Sequence, residues 1–457
     1  MEYEDLVTKP LPDTQAEECH LSFGDSGGYT PIIEAAANGN HELVETQIEQ
    51  GAELNAVSDE GNTALWAAVL SKKEDIVRLL LEHGADLSVK NSEGETVLWA
   101  AVRSWQVDII KLLLEYGADV SATDNKGQTV LFKAAHATTV LNCPEIVDLL
   151  LEYGADISAK DKEGNGVLSN VVMSNHELGF YVLLDCGADI SAKNDEGRTV
   201  LWDALLAEQE NMIPLLLSHD IDLSAKDIDG RTVLWPAVLV ENEDLLLQLL
   251  NEFESIDVSV TDNNGETPLM DAAYLGSEAV VDLLISYGVD VLAADNEGLT
   301  ALNDAVLSGR TNIAELLLHN GAHISARDNT GQTVLWDAIY TGSEVMLKFL
   351  LSNNADISAK DNLGMTVLWF AIDLKENSEA MVKFLLEHDI DVSSTAADGS
   401  TALHYAASRG AIEAVKLLID RGADASLSDD SGDTPLTLAI REEHKEAIAL
   451  LGGACSE

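Results

Sequence analysis

An all-α solenoid of stacked helix-turn-helix units is predicted for this 457-residue chain by three observations. A glycine recurs at a nearly fixed step, a small residue holds one helical position, and turn signals alternate with two helical stretches in each unit. The glycines are Gly28, Gly61, Gly94, Gly127, Gly164, Gly197, Gly230, Gly265, Gly298, Gly331, Gly364, Gly399 and Gly432; nine of the twelve intervals are 33 residues, two are 35 and one is 37. A period of this length belongs to a repeat whose units cannot bury their apolar side alone. Length alone would suggest roughly two to four globular domains. The repeat instead predicts one continuous array over residues 24–457, preceded by an acidic leader at 1–23 that carries Pro10 and Pro12 and is either partly disordered or an N-terminal cap.

Each unit reads as turn, helix, turn, helix, turn. Around the glycine the commonest phrase is Asp or Asn, two variable residues, Gly, one variable residue, Thr, an aliphatic residue and Leu. Glycine suits a tight turn because it reaches positive φ without a side-chain clash. Two residues on, a Thr such as Thr333 is placed to cap the first helix by accepting from a free backbone amide. Three residues after the Leu stands an alanine in twelve units: Ala35, Ala68, Ala101, Ala134, Ala204, Ala237, Ala272, Ala305, Ala338, Ala371, Ala406 and Ala439. A small residue fixed there implies the close approach of another helix. The second helix, as in Ile76 to Leu81, closes on Gly84, Gly117, Gly154, Gly187 or Gly422 as left-handed caps. Asp220, Asn354 and Asp389 stand in their place elsewhere and must tolerate the same backbone shape.

Eighty acidic side chains face 26 basic ones, for a formal charge of −54, yet 46% of residues are hydrophobic. The chain is too apolar for an acidic disordered segment, so it folds with a strongly negative surface. Such a field repels nucleic acid phosphates and anionic lipid headgroups and favours basic proteins or peptides. Cys19, Cys143, Cys186 and Cys455 are scattered without a paired spacing, so neither a disulfide framework nor a metal site is expected. The acidic N-terminus is unlike a signal peptide, and no apolar run approaches membrane-spanning length. A cytosolic or nuclear monomer is expected, with polar helices at both ends, around Gln47 to Gln50 and Arg441 to Glu446, discouraging end-to-end stacking.

The phrase resembles the ankyrin repeat, whose pattern is Asp-x-x-Gly-x-Thr-Pro-Leu-His, then Ala-Ala, then a second helix ending in Leu-Leu-x-x-Gly-Ala-Asp. The resemblance covers the chain from about residue 24 onward and recurs thirteen times. It implies antiparallel helix pairs with β-turn fingers projecting sideways, a concave face built from fingers and first helices, and a role in binding other proteins. Departures from the pattern are several. The Pro survives as Pro31, Pro268 and Pro435, and the His only as His404. Trp66, Trp99, Trp202, Trp235, Trp336 and Trp369 replace the His in six units, with Phe132 in a seventh. In the family that His bonds across the inter-repeat seam, so the resemblance implies a buried aromatic ladder with one N–H per ring to satisfy. An aromatic groove for a ligand or a methylated lysine is the weaker alternative. The Gly164 unit breaks three rules, with Gly166 for the capping Thr, Ser169 for the Trp, and Val171 and Val172 for the small pair. With the insertion at Ala137 to Pro144 this predicts a weak seam near 135–180.

Binding residues follow from the family's habit of using the finger and the outward face of the first helix. The position after the Trp holds Asp203, Asp271, Asp304 and Asp337, with Lys133, Phe370 and Tyr405 in other units. Near the end of the first helix stand His136, Met173, Leu239, Tyr274, Tyr340 and Arg409. The fingers add Asp59, Glu60, Glu93, Asp195, Glu196, Asp229, Glu266 and Glu297. Trp105 sits where Gly39, Gly276 and Gly309 turn between helices, as a partner anchor or a ring folded over its own repeat. The expected function is a non-enzymatic scaffold or inhibitor that captures a basic protein or peptide segment in an acidic groove dotted with aromatics. The rival is an atypical enzyme or small-molecule binder using the Trp and Asp groove; a third reading is a regulatory piece of a larger receptor-type protein. No nucleophile elbow, phosphate loop or cofactor motif is present in the sequence.

Overall fold

The computed structural model describes residues 28–136, 143–219, 221–252, 256–374 and 378–454. The 1–23 leader, Cys19, Asp220, Cys455 and residues 137–142 of the insertion lie outside the described residues. Among the described residues twenty-six helices follow one another in pairs. They fall into two compact units divided between Ile228 and Asp229. Unit 1 holds the repeats of Gly28 to Gly197, and unit 2 those of Gly230 to Gly432.

In the Gly331 repeat the pair is Val334–Tyr340 and Glu344–Ser352. Its finger shows why the phrase is written as it is. Asp328 Oδ1 accepts from the backbone N–H of Thr330 at 2.9 Å and of Gln332 at 2.8 Å, holding the turn from inside. Gly331 has φ 86°, and a Cβ there would also lie 2.7 Å from the backbone N of Asn362 on the next finger. The glycine is thus required twice, by its conformation and by a neighbour. The fingers are stitched together by backbone bonds: Glu297 O accepts from Asn329 N–H at 2.8 Å, and Thr330 O from Asn362 N–H at 2.9 Å. In two repeats Ser58 and Ala396 take the Asp place.

All twelve alanines are buried, as expected of a close helix contact. So are the six tryptophans and Phe132, each no more than 5% exposed. The ring ladder is core. Its N–H groups are only partly accommodated, because Nε1 of Trp99, Trp235 and Trp369 is buried with no hydrogen-bond partner. His404 shows the polar alternative: its Nδ1 accepts from Thr401 N–H at 3.1 Å, and its Nε2 bonds the Asp433 carbonyl at 3.1 Å.

Thr333 departs from expectation. It occupies the cap position with extended backbone, but its side chain accepts no capping bond, and the Trp336 N–H is taken by the Thr333 carbonyl at 2.9 Å. Thr63 and Thr434 do cap, each at 3.2 Å. The left-handed closures hold at Gly84, Gly117, Gly154, Gly187 and Gly422, and also at Asn354 and Asp389. His83, His219 and His388 each place Nδ1 within 2.9 Å of a carbonyl in the last turn. Trp105 has φ 52° and a half-buried ring, so it adopts glycine's backbone shape and is not a fully exposed anchor.

Candidate protein-binding site

The position after the ladder residue lies on the flank of the first helix, at the edge of the core. In unit 2 three consecutive repeats put a carboxylate there: Asp271 in Pro268–Leu275, Asp304 in Ala301–Leu307 and Asp337 in Val334–Tyr340. Each stands in the first helical turn, where the helix dipole favours negative charge. Each is also half-buried, which opposes ionisation. Burial wins. It pushes the Asp304 carboxyl up to about 8, helped by the negative charges of Asp271, Glu266, Asp295 and Asp337.

Asp337 is pushed up to about 6, again by burial, while a hydrogen bond from Asn303 opposes the shift. Asn303 stands at the ladder position, where most repeats carry an aromatic ring. It donates from Nδ2 to Asp337 Oδ2 at 2.7 Å and accepts at Oδ1 from Thr300 N–H at 3.0 Å. Asp271 is raised by burial first, against Arg231 and with Asp262. Its Oδ2 is buried without a hydrogen bond, as is the neighbouring Trp235 Nε1, although the indole still favours the charged carboxylate. Glu266 is raised by burial and by Asp262 and Asp271, against Arg231. Asp304 therefore feels Asp271, Glu266 and Asp337 as like charges, while Glu266 is paired with Arg231 at 3.3 Å and Glu297 is exposed on its finger.

Aromatic side chains border this row. Tyr274 and Tyr340 are 56% and 67% exposed, a large apolar area left in water. Tyr340 pairs with the half-buried Phe370, ring centroids 6.5 Å apart and tilted by 31°. Tyr405 is already occupied: the Arg409 guanidinium lies 5.2 Å from its ring centroid and pairs with Asp373 at 3.2 Å.

In unit 1, Asp203 is pushed up to about 6 by burial, with Arg198 opposing and Glu196 assisting. Arg198 lies over Trp202, 5.3 Å from the ring centroid, and pairs with Glu196. Beside them opens a cavity of about 890 Å³, with Asn165, Ser169, Asn170, Asp203 and Leu206 in its lining. Where six repeats insert a tryptophan, this one has Ser169, which lines the cavity. Sequence reasoning read that substitution as a weakness and missed the cavity. It also missed Asn303, although a polar residue at an aromatic position was a visible signal.

Behind the cavity, Val171 and Val172 are fully buried, and Gly179 makes room for them: a Cβ there would meet the Ala135 carbonyl oxygen at 2.1 Å and Val171 Cγ1 at 3.2 Å. His136 bonds Asn170 Oδ1 and lies edge-on to His176, ring centroids 4.8 Å apart. Burial, then His136 and Lys133, push His176 down to about 4. Cys186 is a free, half-buried thiol 3.4 Å from Asp148 Oδ1, and burial together with that acid pushes it up to about 11. Among the described residues no group of three or more His, Cys, Asp or Glu could hold a metal ion, and no helix is long and apolar enough to cross a membrane.

The family model described as ankyrin repeats (3 copies) matches residues 6–91, 84–161, 168–262, 237–328, 325–396 and 375–455. The chain belongs to the ankyrin repeat family. A solved structure similar to it is the ankyrin repeat domain of Bcl-3, described as a unique member of the IkappaB protein family. The identity is 33%, the match covers 49% of this chain and 100% of that one, and the TM-score is 0.44. No curated protein matches the chain. Ankyrin repeats mediate protein–protein interaction, and Asp271, Asp304, Asp337, Tyr274 and Tyr340 all lie on first helices of their repeats.

Proposed function

We propose that this ankyrin repeat protein is a non-enzymatic scaffold or inhibitor that binds a basic segment of a partner protein along the first helices of unit 2. The observation that carries the reading is the row Asp271, Asp304 and Asp337, in which the charges acting on Asp304 are all acidic. A carboxyl held out of water among like charges gains most from an arriving cation, which restores its ionised form. The formal charge of −54 steers such a partner from a distance. The same reading takes the protein as a monomer of the cytosol or nucleus, where basic localisation signals and histone-like tails are found.

The test is fluorescence anisotropy with a labelled hexa-lysine peptide at low and high salt. Binding is expected to weaken as salt screens the pair, and to be lost in a variant with Asp271, Asp304 and Asp337 all changed to Lys that keeps its helical circular dichroism. Binding by that variant at wild-type strength would refute the reading.

The cavity of unit 1 favours a second reading, the capture of a small polar ligand beside Asp203 and Arg198, since its volume of about 890 Å³ lies in the range of ligand pockets. A ligand screen by thermal shift tests it. The expected result is stabilisation by a polar compound that disappears in Ser169→Trp, which fills the space; a compound whose effect survives that change binds elsewhere.

A further inference from the structure

The chain carries its own example of how a cation is held on the flank of a first helix. In the Gly399 repeat, Arg409 lies over the ring of Tyr405 and donates from Nε and Nη2 to the Tyr405 hydroxyl at 3.2 and 3.0 Å. It also pairs with Asp373 at 3.2 Å, at the end of the first helix one repeat earlier. The parts are a ring at the position after the ladder residue, a polar side chain three residues further on in the preceding repeat, and a guanidinium between them.

One repeat back the same places hold Phe370 and Tyr340, but the position matching Arg409 is Leu374. The niche therefore has two rings 6.5 Å apart and tilted by 31°, with no guanidinium of its own from that position. Asp337 lies one helical turn before Tyr340 on the same flank of the helix, with its Oδ2 bonded from the preceding repeat while Tyr340 meets Phe370 of the following one. It is fixed by Asn303 at 2.7 Å and half-buried. Two aromatic faces, one helical turn from an oriented, poorly solvated carboxylate, suit a planar, weakly hydrated cation that stacks and donates a fork of hydrogen bonds, which distinguishes arginine from lysine.

We infer that the niche of Tyr340, Phe370 and Asp337 is a docking point for an arginine side chain of the partner's basic segment, held as Arg409 is held one repeat later. The inference rests on the reading of unit 2 as a binder of basic segments. It adds which residue type is selected and where. The occupant is argued from charge complementarity: the adjoining row is acidic, and the chain fills the equivalent place with its own arginine.

The experiment compares hexa-arginine with hexa-lysine on the full chain by anisotropy, for the wild type, Tyr340→Leu, Phe370→Leu and Arg409→Ala. The wild type should prefer hexa-arginine. Each ring variant should lose about threefold to tenfold in affinity for it while changing hexa-lysine binding little. Arg409→Ala, which frees the Tyr405 and Asp373 place at an exposed site, should bind hexa-arginine more tightly than wild type. Equal affinity of the wild type for both peptides, or ring variants that bind hexa-arginine unchanged, overturns the inference and leaves the acidic row standing. Failure of the wild type to bind either peptide overturns both. Should Phe370→Leu unfold, Tyr340→Leu and Arg409→Ala, whose side chains lie largely in solvent, still decide the matter.

Discussion

Asn303 holds Asp337 across the boundary between two repeats, Nδ2 to Oδ2 at 2.7 Å, from a position that six other repeats give to tryptophan. The amide oxygen accepts from Thr300 in its own first turn, and the amide nitrogen donates to the next repeat. A ladder residue has thereby become the positioning group of a carboxylate.

Because that bond favours the ionised acid, Asn303→Ala should raise the Asp337 carboxyl above its value of about 6. Carbon-detected NMR titration of the carboxyl reads this directly. An unchanged midpoint would mean that the bond does not tune the acid.

Stability should vary with pH in a way the acids set. Folded Asp304 keeps its proton up to about pH 8, whereas the unfolded chain releases it near the ordinary carboxylate value. Between those limits unfolding releases a proton, so this group's contribution to stability falls as pH rises from about 4 to about 8. Asp203 and Asp337 act in the same sense up to about 6. His176 acts oppositely: held at about 4, its contribution is lost as pH falls from about 6.5 to about 4. Asp304→Asn should therefore stabilise the chain by about 1–2 kcal/mol near neutral pH, allowing for solvent screening, and by nothing near pH 4. Urea unfolding at the two pH values checks it, and an equal effect at both would be contrary.

Gly179 lies inside the helix Glu177–Asp185, where glycine ordinarily costs stability. It is kept because the Ala135 carbonyl occupies the space of a side chain. Gly179→Ala should cost about 1–3 kcal/mol, with hydrogen exchange rising first between residues 130 and 185. Wild-type protection there would show that the backbone gives way freely, and would equally count against a weak seam at 135–180.

Trp369 is 2% exposed with an unpartnered N–H. Trp369→Phe discards the orphaned donor and keeps most of the ring, so it should fall within about 1 kcal/mol of wild type. Trp369→Ala should cost about 3–5 kcal/mol. Chemical denaturation separates the two; equal losses would mean the N–H is satisfied after all.

The repeat was readable because its demands are local or recur identically: glycine's positive φ at Gly331, the small Ala338 at a close contact, the buried place of Trp336. What escaped reading depends on partners in the next repeat. That Thr333 would not cap, that Asp304 would be desolvated among Asp271, Glu266, Asp295 and Asp337, and that Gly179 would lie against Ala135 are facts of three-dimensional juxtaposition. The candidate residues were named by position, and position does not tell half-buried Asp337 from exposed Glu297. Nor does it tell Tyr405, covered by Arg409, from Phe370, which faces Tyr340.

The most direct test of the acidic row as a cation-binding site is proton release on binding. Calorimetric titration of hexa-arginine into the chain near pH 7, in buffers of different ionisation enthalpy, gives the number of protons displaced. A cation arriving beside Asp304 must drive off the proton that the folded chain holds there, so release is expected, and it should disappear in Asp304→Asn. Binding with no net proton release, or with release unchanged in that variant, would contradict the account.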